Sequence, residues 1–394
     1  MTTSPSTPDF GNHVPTEVVF GSGTLTTVGK TVARFGSRCL LVTGPKTGST
    51  KSYLDRLTGY LESAGVAVAH FDGVIPNPTT DTMSAGAQMA VEHRADVILG
   101  VGGGSSMDAA KAIAVEATHD GSCWDYLFYR DVAPTEKTLP VVAVSTTSGT
   151  GSQVTQVSVV THTETRDKSA LYNSLLFPRV AIVDPELMLS VPRHVTACTG
   201  FDTFTHAFES AIHVNTSVEI VSMAWEAIAL VATHLPAALK DGADIEARTA
   251  LAHADTLAGI CIATVGVTLP HGIGMAIGGM YPHIAHGEAL ALNYPAFTRF
   301  TYASAVGPFA RLGRLFNPEL ESVDDLAAAQ RSCDELDQFL RDIGLWMGLE
   351  EKRVPEEELR ALAQQCRVLP DYMNNPRIAS EEEMLQLIQD CFRR

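Results

Sequence analysis

A series of short, continuously apolar runs separated by amphipathic stretches restricts what the first half of this chain can become. Cys39 to Thr43 (CLLVT), Val66 to Phe71, Ala95 to Val101 (ADVILGV), Leu139 to Ser145 (LPVVAVS) and Val180 to Asp184 (VAIVD) read as strands. Runs of this kind, rich in β-branched residues and without polar alternation, suit strands buried on both faces. Between them, Ser52 to Ala64, Thr79 to Glu92 and Ser105 to Ala117 read as helices. The alternation predicts a parallel sheet covered on both sides, with a further short strand at Glu17 to Gly21. In such sheets ligands bind outside the carboxyl ends of the strands.

After Val180 to Asp184 the pattern changes. Asp184-Pro185 and Val191-Pro192 punctuate the chain. From about Thr196 the periodicity is mostly helical: Ser217 to Leu239, Asp244 to Ala263, Gly287 to Ala303, Val323 to Gly344, Glu356 to Cys366 and Ser380 to Phe392. Ser380-Glu-Glu-Glu is a capping-box signature for the last of these. A chain of 394 residues exceeds one ordinary core. The expected organisation is an α/β domain over residues 1–190 and an all-helical domain over 191–394.

Composition excludes several classes. The formal charge is −17 and no basic cluster is present, which disfavours nucleic-acid binding. No apolar run reaches the roughly 18 to 20 residues of a membrane span. The opening MTTSPSTPDFGNHVP lacks a basic region and an apolar core, so it reads as a polar arm rather than a signal peptide. Seven scattered cysteines (Cys39, Cys123, Cys198, Cys261, Cys333, Cys366, Cys391) form no CxxC pair. Free thiols in a reducing, cytoplasmic setting are the expectation.

Four segments carry candidate chemistry. Gly102-Gly103-Gly104-Ser105-Ser106-Met107-Asp108 follows a strand and opens a helix. Glycines there let a phosphate approach the backbone, and the helix N-terminus supplies N–H donors and positive dipole. It is not a GxGxxG fingerprint, and a structural tight turn is the alternative. Ser145 to Ser152 (STTSGTGS) follows the next strand and suits a second nucleotide contact, or a flexible connection. Asp202 and His206, four apart in a helix-like segment, share one helical face. Downstream, Val267 to Gly287 holds His271, His283 and His286. Imidazoles with one carboxylate form a typical Fe(II) or Zn(II) site, although any single one of these histidines could be a satisfied core or surface residue.

GGGSSMDAAKAIA, TTSGTGSQVT, AIVDPELMLSVP, TGFDTFTHAFES, the His271 to His286 region, the EVVFGSGTL opening and Asn375-Pro376-Arg377 together resemble the iron-containing (group III) alcohol dehydrogenase family. The resemblance runs over nearly the whole chain. It implies a Rossmann-like dinucleotide-binding domain, an all-α domain and one divalent metal in the cleft between them, an architecture similar to dehydroquinate synthase. Carried onto this sequence, the metal ligands fall on Asp202, His206, His271 and a fourth histidine. His286, which precedes Gly287, fits that position, with His283 as its rival. The cofactor positions fall on Gly103, Gly104, Ser105, Asp108, Thr146, Thr147, Thr150, Asn77, Lys168 and Leu187. The implied reaction is NAD(P)-linked interconversion of a short-chain primary alcohol and its aldehyde, with Fe2+ or Zn2+ as Lewis acid and a homodimer or larger homo-oligomer as the assembly.

Three departures from the family pattern stand out. Many members carry an Asp at the end of the first Rossmann-like strand that disfavours a 2′-phosphate; Gly44 occupies that place here, with Lys46 nearby. NADP(H) is therefore expected to be accepted, or preferred. The usual Glu of the second loop is Gln153. A His expected four residues after the third ligand is Met275, so a proton relay would have to come from elsewhere, with His283 as the candidate. An anionic substrate such as phosphonoacetaldehyde would need a cation in the cleft. Alternatives are a metal-independent reductase resembling maleylacetate reductase and a non-catalytic metal-binding protein on the same scaffold. The lyase 3-dehydroquinate synthase is disfavoured, because the metal segment is nearly free of Lys and Arg.

Overall fold

The structure is a computed structural model that describes residues 13–162, 164–165 and 167–394, apart from the side chain of Ser49. The polar arm expected at the N-terminus falls, up to residue 12, outside the described residues.

Strands β1 (Glu17–Phe20), β2 (Arg38–Val42), β3 (Ala67–Phe71), β4 (Val97–Gly102) and β5 (Val141–Ser145) enter one sheet. A separate antiparallel hairpin follows, β6 (Val157–Thr161) and β7 (Lys168–Tyr172), before β8 (Val180–Val183) completes the sheet. The six strands are all parallel, in the order β1-β8-β5-β4-β2-β3. Helices α1 (Val28–Val32), α2 (Gly48–Ser63), α3 (Thr80–His93) and α4 (Gly104–Glu116) connect them.

The continuous apolar runs have the expected cause. Successive side chains of a strand point to opposite faces. Leu40 and Val42 of β2 and Ile98 of β4 pack with Met83 of α3 and Ala109 and Ile113 of α4. Cys39 and Leu41 of β2 and Leu99 of β4 pack on the other face with Leu54, Leu57 and Leu61 of α2 and Val28 of α1. Each such leucine, fully buried, contributes about 2 kcal/mol. The strand order reverses between β2 and β4, and a crevice opens at such a reversal. The glycine turn lies at the carboxyl end of β4.

The rest of the chain is helical: α5 (Arg193–Ile212), α6 (Val218–Lys240), α7 (Ile245–Val265), α8 (Leu269–Met280), α9 (His286–Thr301), α10 (Val306–Phe316), α11 (Asp325–Asp342), α12 (Leu359–Gln365) and α13 (Glu381–Asp390). Helix α5 is the axis of this half and is buried on both sides. One face carries Phe201, Phe204 and Phe208, at helical spacing. Phe208 meets Phe309 edge to face at 5.1 Å between ring centres, and Phe201 meets Tyr294 at 5.2 Å. Helix α6 is long and apolar enough to cross a membrane, but it buries Ile220, Ile228, Val231 and Leu235 in the same core. The capping box of α13 is present: Glu383 N–H donates to Ser380 Oγ at 3.2 Å, and Ser380 N–H to Glu383 Oε2 at 3.0 Å.

Several elements depart from the sequence expectation. Val157–Thr161 and Lys168–Tyr172 form the hairpin, which had no counterpart in the helix–strand alternation because β6 and β7 pair with each other rather than with the main sheet. Helix α2 starts at Gly48, ahead of its amphipathic stretch, where Thr47 caps it. The Gly-rich 269–280 segment is a helix although glycine disfavours one. Its glycines admit close neighbours: a Cβ on Gly278 would lie 3.3 Å from Lys168 Nζ, and one on Gly274 3.2 Å from Leu290 Cδ2. The Gly- and Pro-containing segment 306–316, to which no element was assigned, is α10. The 356–366 stretch is a 3-10 turn over Glu356–Glu358 followed by α12.

Candidate active site

Helix α5 presents Asp202 and His206 on the face opposite its phenylalanines. The Nε2 atoms of His206, His271 and His286 lie 3.6, 3.5 and 3.8 Å from Asp202 Oδ1. Asp202, His271 and His286 each offer one donor atom within 4.8 Å of the others. The His206 and His271 rings stack at 4.5 Å, and His271 and His286 lie at 5.4 Å. Gly287 explains how His286 arrives: its absent Cβ would sit 2.3 Å from the Cys198 carbonyl oxygen. Only glycine lets the first turn of α9 lie directly on the backbone of α5.

Two of the three imidazoles are oriented from behind. His206 Nδ1–H donates to the Gly149 carbonyl at 3.1 Å, and His271 Nδ1–H donates to Glu209 Oε1 at 2.7 Å. Glu209 Oε2 in turn accepts from Thr268 N–H (2.7 Å) and Thr268 Oγ1 (3.1 Å). These bonds turn the Nε2 atoms toward Asp202, the arrangement that outer partners give to metal-binding histidines. Glu209 is a functional residue that sequence reasoning missed, although it lies on the helical face of Asp202 and His206.

The donor set fits a divalent cation. Asp202 Oδ1 and His271 Nε2, which face each other at the centre of the cluster, are buried without a hydrogen-bond partner. An orphaned buried polar atom costs on the order of 1–3 kcal/mol. Burial holds the His206 imidazole below its usual range and the His286 imidazole at about 3, so both are neutral. Burial also works against protonation of His271, but Glu209 and Asp202 outweigh it and raise that imidazole to about 10. In the ion-free protein its proton occupies the place between carboxylates that a cation would take. Metal binding must expel that proton.

His283 is a correction. It is exposed on the turn between α8 and α9, its Nε2 lies 2.9 Å from the Lys352 carbonyl, and it does not line the cleft. It is not among the donors grouped around Asp202, so neither the relay role nor the rival ligand role has geometric support. His286→Ala is expected to lose bound metal and His283→Ala to retain it, by elemental analysis of the purified variants.

The donor cluster lies on a cleft of about 460 Å³ that also contains Gly104, Ser105, Thr150, Asn77, Lys168 and Asp108. Gly102 has φ 148°, open only to glycine, and Gly103 precedes the first turn of α4 without a side-chain cap. Thr146 N–H donates to the Gly102 carbonyl at 3.0 Å, tying the β4 and β5 ends together. The Thr147 and Thr150 side chains cover Gly103 and Gly104: Cβ atoms there would lie 3.0 Å from Thr147 Oγ1 and 2.6 Å from Thr150 Cγ2. Lys168 Nζ donates to Asn77 Oδ1 at 2.8 Å, and burial lowers its ammonium to about 8. The hairpin thus brings together two expected cofactor residues distant in sequence. Asp108 lines the cleft while bonded inward, accepting from Ser152 Oγ (2.6 Å) and Val159 N–H (3.1 Å). Gly44 ends β2 outside this cleft, and Leu187 packs in the core layer with Leu25, Leu41 and Val144. Met275, Ile262, Val267 and Leu369 form an apolar wall that sequence reasoning did not anticipate, joined by Asp371. Met275 carries no group able to relay a proton.

A glycine turn at a strand end and a carboxylate–imidazole cluster, sharing one cleft, make the layout of a dinucleotide-linked enzyme with a metal centre. The family models "Iron-containing alcohol dehydrogenase" and "Fe-containing alcohol dehydrogenase family, C-terminal" match residues 15–185 and 196–392. The chain is 32% identical over 380 residues to NAD-dependent methanol dehydrogenase of Bacillus methanolicus, covering 96% of this chain and 98% of that one. It is 32% identical over 385 residues to 1,3-propanediol dehydrogenase of Klebsiella pneumoniae, covering 97% and 99%. The crystal structure of an archaeal halo-thermophilic Red Sea brine pool alcohol dehydrogenase superposes with a TM-score of 0.90 at 35% identity, covering 98% and 99%. The chain belongs to the iron-containing alcohol dehydrogenase family, and NAD-linked alcohol oxidoreduction is its general chemistry.

Proposed function

We propose that this enzyme interconverts a short-chain primary alcohol and its aldehyde, with Asp202, His206, His271 and His286 holding one divalent ion, Fe2+ or Zn2+. The observation that carries the reading is the convergence of these donors, two of them with partnerless buried atoms, in the same cleft as the α4 N-terminus. When bound, the ion supplies Lewis acidity to the substrate oxygen, and the nicotinamide gives or takes the hydride. The chain's own residues do the rest. Gly149 and Glu209 hold the tautomers of His206 and His271. Gly104, Ser105 and the α4 dipole receive the pyrophosphate, and Lys168 with Asn77 lines the path between nucleotide and donors. Met275, Ile262 and Leu369 exclude water from the reacting carbon.

The charge of the cleft supports a neutral substrate. Lys168 is the one Lys or Arg among the described residues lining it, and its ammonium is already bonded to Asn77, whereas Asp108, Asp202 and Asp371 also line it. A screen of the iron-reconstituted protein is expected to give turnover with propanal, butanal or 3-hydroxypropanal. Succinic semialdehyde and phosphonoacetaldehyde are expected to have kcat/KM at least about tenfold lower. No turnover with any aldehyde, in the presence of Fe2+ or Zn2+, would favour the non-catalytic reading.

The proposed cofactor range includes NADP. Gly44 offers no carboxylate to repel a 2′-phosphate, although Lys46 is bonded to Asp55 at 2.5 Å and would have to exchange that partner. The expected kcat/KM for NADP lies within about tenfold of that for NAD, and Gly44→Asp lowers it by about tenfold or more through like charge. A preference for NAD beyond about 100-fold in the unaltered protein would contradict this. The seven cysteines are all buried and free, which supports a reducing, cytoplasmic setting. Strand β1 is an edge strand with Val18 and Phe20 exposed, a place where a second copy in a homodimer could pair.

A further inference from the structure

We propose that Asp255 and Gln153 are positioning residues that hold His206 in its ligand geometry through the 149–153 loop. This rests on the metal-site reading above. Asp255 lies on α7 and is 1% exposed, and Gln153 is fully buried. Neither touches the donor cluster. Asp255 Oδ1 accepts from Gly149 N–H at 2.8 Å and from Gly151 N–H at 2.9 Å, and its Oδ2 accepts from Gln153 Nε2 at 2.7 Å. A single carboxylate therefore meets three donors of one loop. The carbonyl of Gly149, on the residue so held, is the acceptor for His206 Nδ1–H. The same loop carries Thr150, which covers Gly104, and Ser152, which donates to Asp108. Gly151 adopts φ 63°, and a Cβ on it would lie 2.4 Å from Gly259 Cα, so the loop backbone also rests directly on α7.

This arrangement accounts for the amide at position 153. A glutamate there would set two buried carboxylates within hydrogen-bond distance, and like charges so close cannot both ionise. Gln153 supplies an N–H instead, so Asp255 faces no second carboxylate there. The same logic says which exchanges the cluster tolerates. Asparagine at 255 keeps both functions: its carbonyl oxygen accepts from Gly149 and Gly151, and its amide N–H donates to the oxygen of a Gln or a Glu at 153.

The test is a cobalt titration of metal-free protein, read by the visible ligand-field spectrum of Co2+ and accompanied by a melting curve for each variant. Wild type and Asp255→Asn are expected to bind alike. Gln153→Glu and Asp255→Ala are expected to bind on the order of 10- to 100-fold more weakly, with an altered spectrum. The Gln153→Glu/Asp255→Asn double variant is expected to recover wild-type affinity and spectrum. Gln153→Glu behaving as wild type, or a double variant no better than Gln153→Glu, would overturn the inference whether or not Asp255→Ala folds. A wild-type protein that binds no Co2+ would overturn the metal-site reading itself, and this inference with it.

Discussion

Asp202→Asn is expected to abolish metal binding and to lower kcat/KM by on the order of 10³-fold or more, about 4 kcal/mol of transition-state stabilisation. The substitution preserves shape but not charge. Asp202 Oδ1 is the point to which the Nε2 atoms of His206, His271 and His286 all converge. An amide in its place is neutral and sets an N–H against a lone pair. The phenylalanine face of α5 is untouched, so the helical signal and cofactor affinity should persist while metal content falls. Asp202→Asn with full metal content and unaltered turnover would remove this residue from the site.

Gly104→Val is expected to weaken NAD(H) binding by on the order of 100-fold, about 2.7 kcal/mol, while bound metal is unchanged. Gly104 is the first residue of α4, where the open N–H groups and the dipole favour a pyrophosphate. Its Cβ would lie 2.6 Å from Thr150 Cγ2 and 2.8 Å from Thr150 Oγ1. Either Thr150 shifts out of the second loop or α4 recedes, and a branched side chain then occupies the approach to the backbone. Fluorescence titration with NADH measures the loss. Separation of the two effects, metal lost in Asp202→Asn and cofactor lost in Gly104→Val, is what two elements meeting across one cleft require.

The parallel sheet was legible because its strands are buried on both faces and so lack polar alternation, as in Cys39 to Val42. The helix boundaries were less so. α8 carries four glycines, of which Gly274 and Gly278 admit close approaches by Leu290 and Lys168, and local propensity does not register tertiary neighbours. The β6–β7 hairpin escaped because its pairing is local and separate from the sheet, yet it delivers Lys168 to Asn77. At the site, Asp202 with His206 was readable from helical spacing, and Glu209 could have been, since it continues the same face. His286 was already favoured over His283 because it precedes Gly287; what the structure adds is the reason, Gly287 seating α9 against Cys198. Asp255 left no signal, because its partners are two backbone N–H groups and one side-chain amide of a loop about a hundred residues away.

The central claim is that the Asp202 cluster holds one metal ion that turnover requires. It is tested most directly by anaerobic titration of the metal-free protein with Fe2+, following NAD-linked oxidation of a short primary alcohol. Activity should rise from near zero and reach its plateau at about one ion per chain, with Zn2+ as the parallel titration. Full activity in the presence of excess chelator, in protein shown to contain no metal, would contradict it and return the chain to the metal-independent reductase reading.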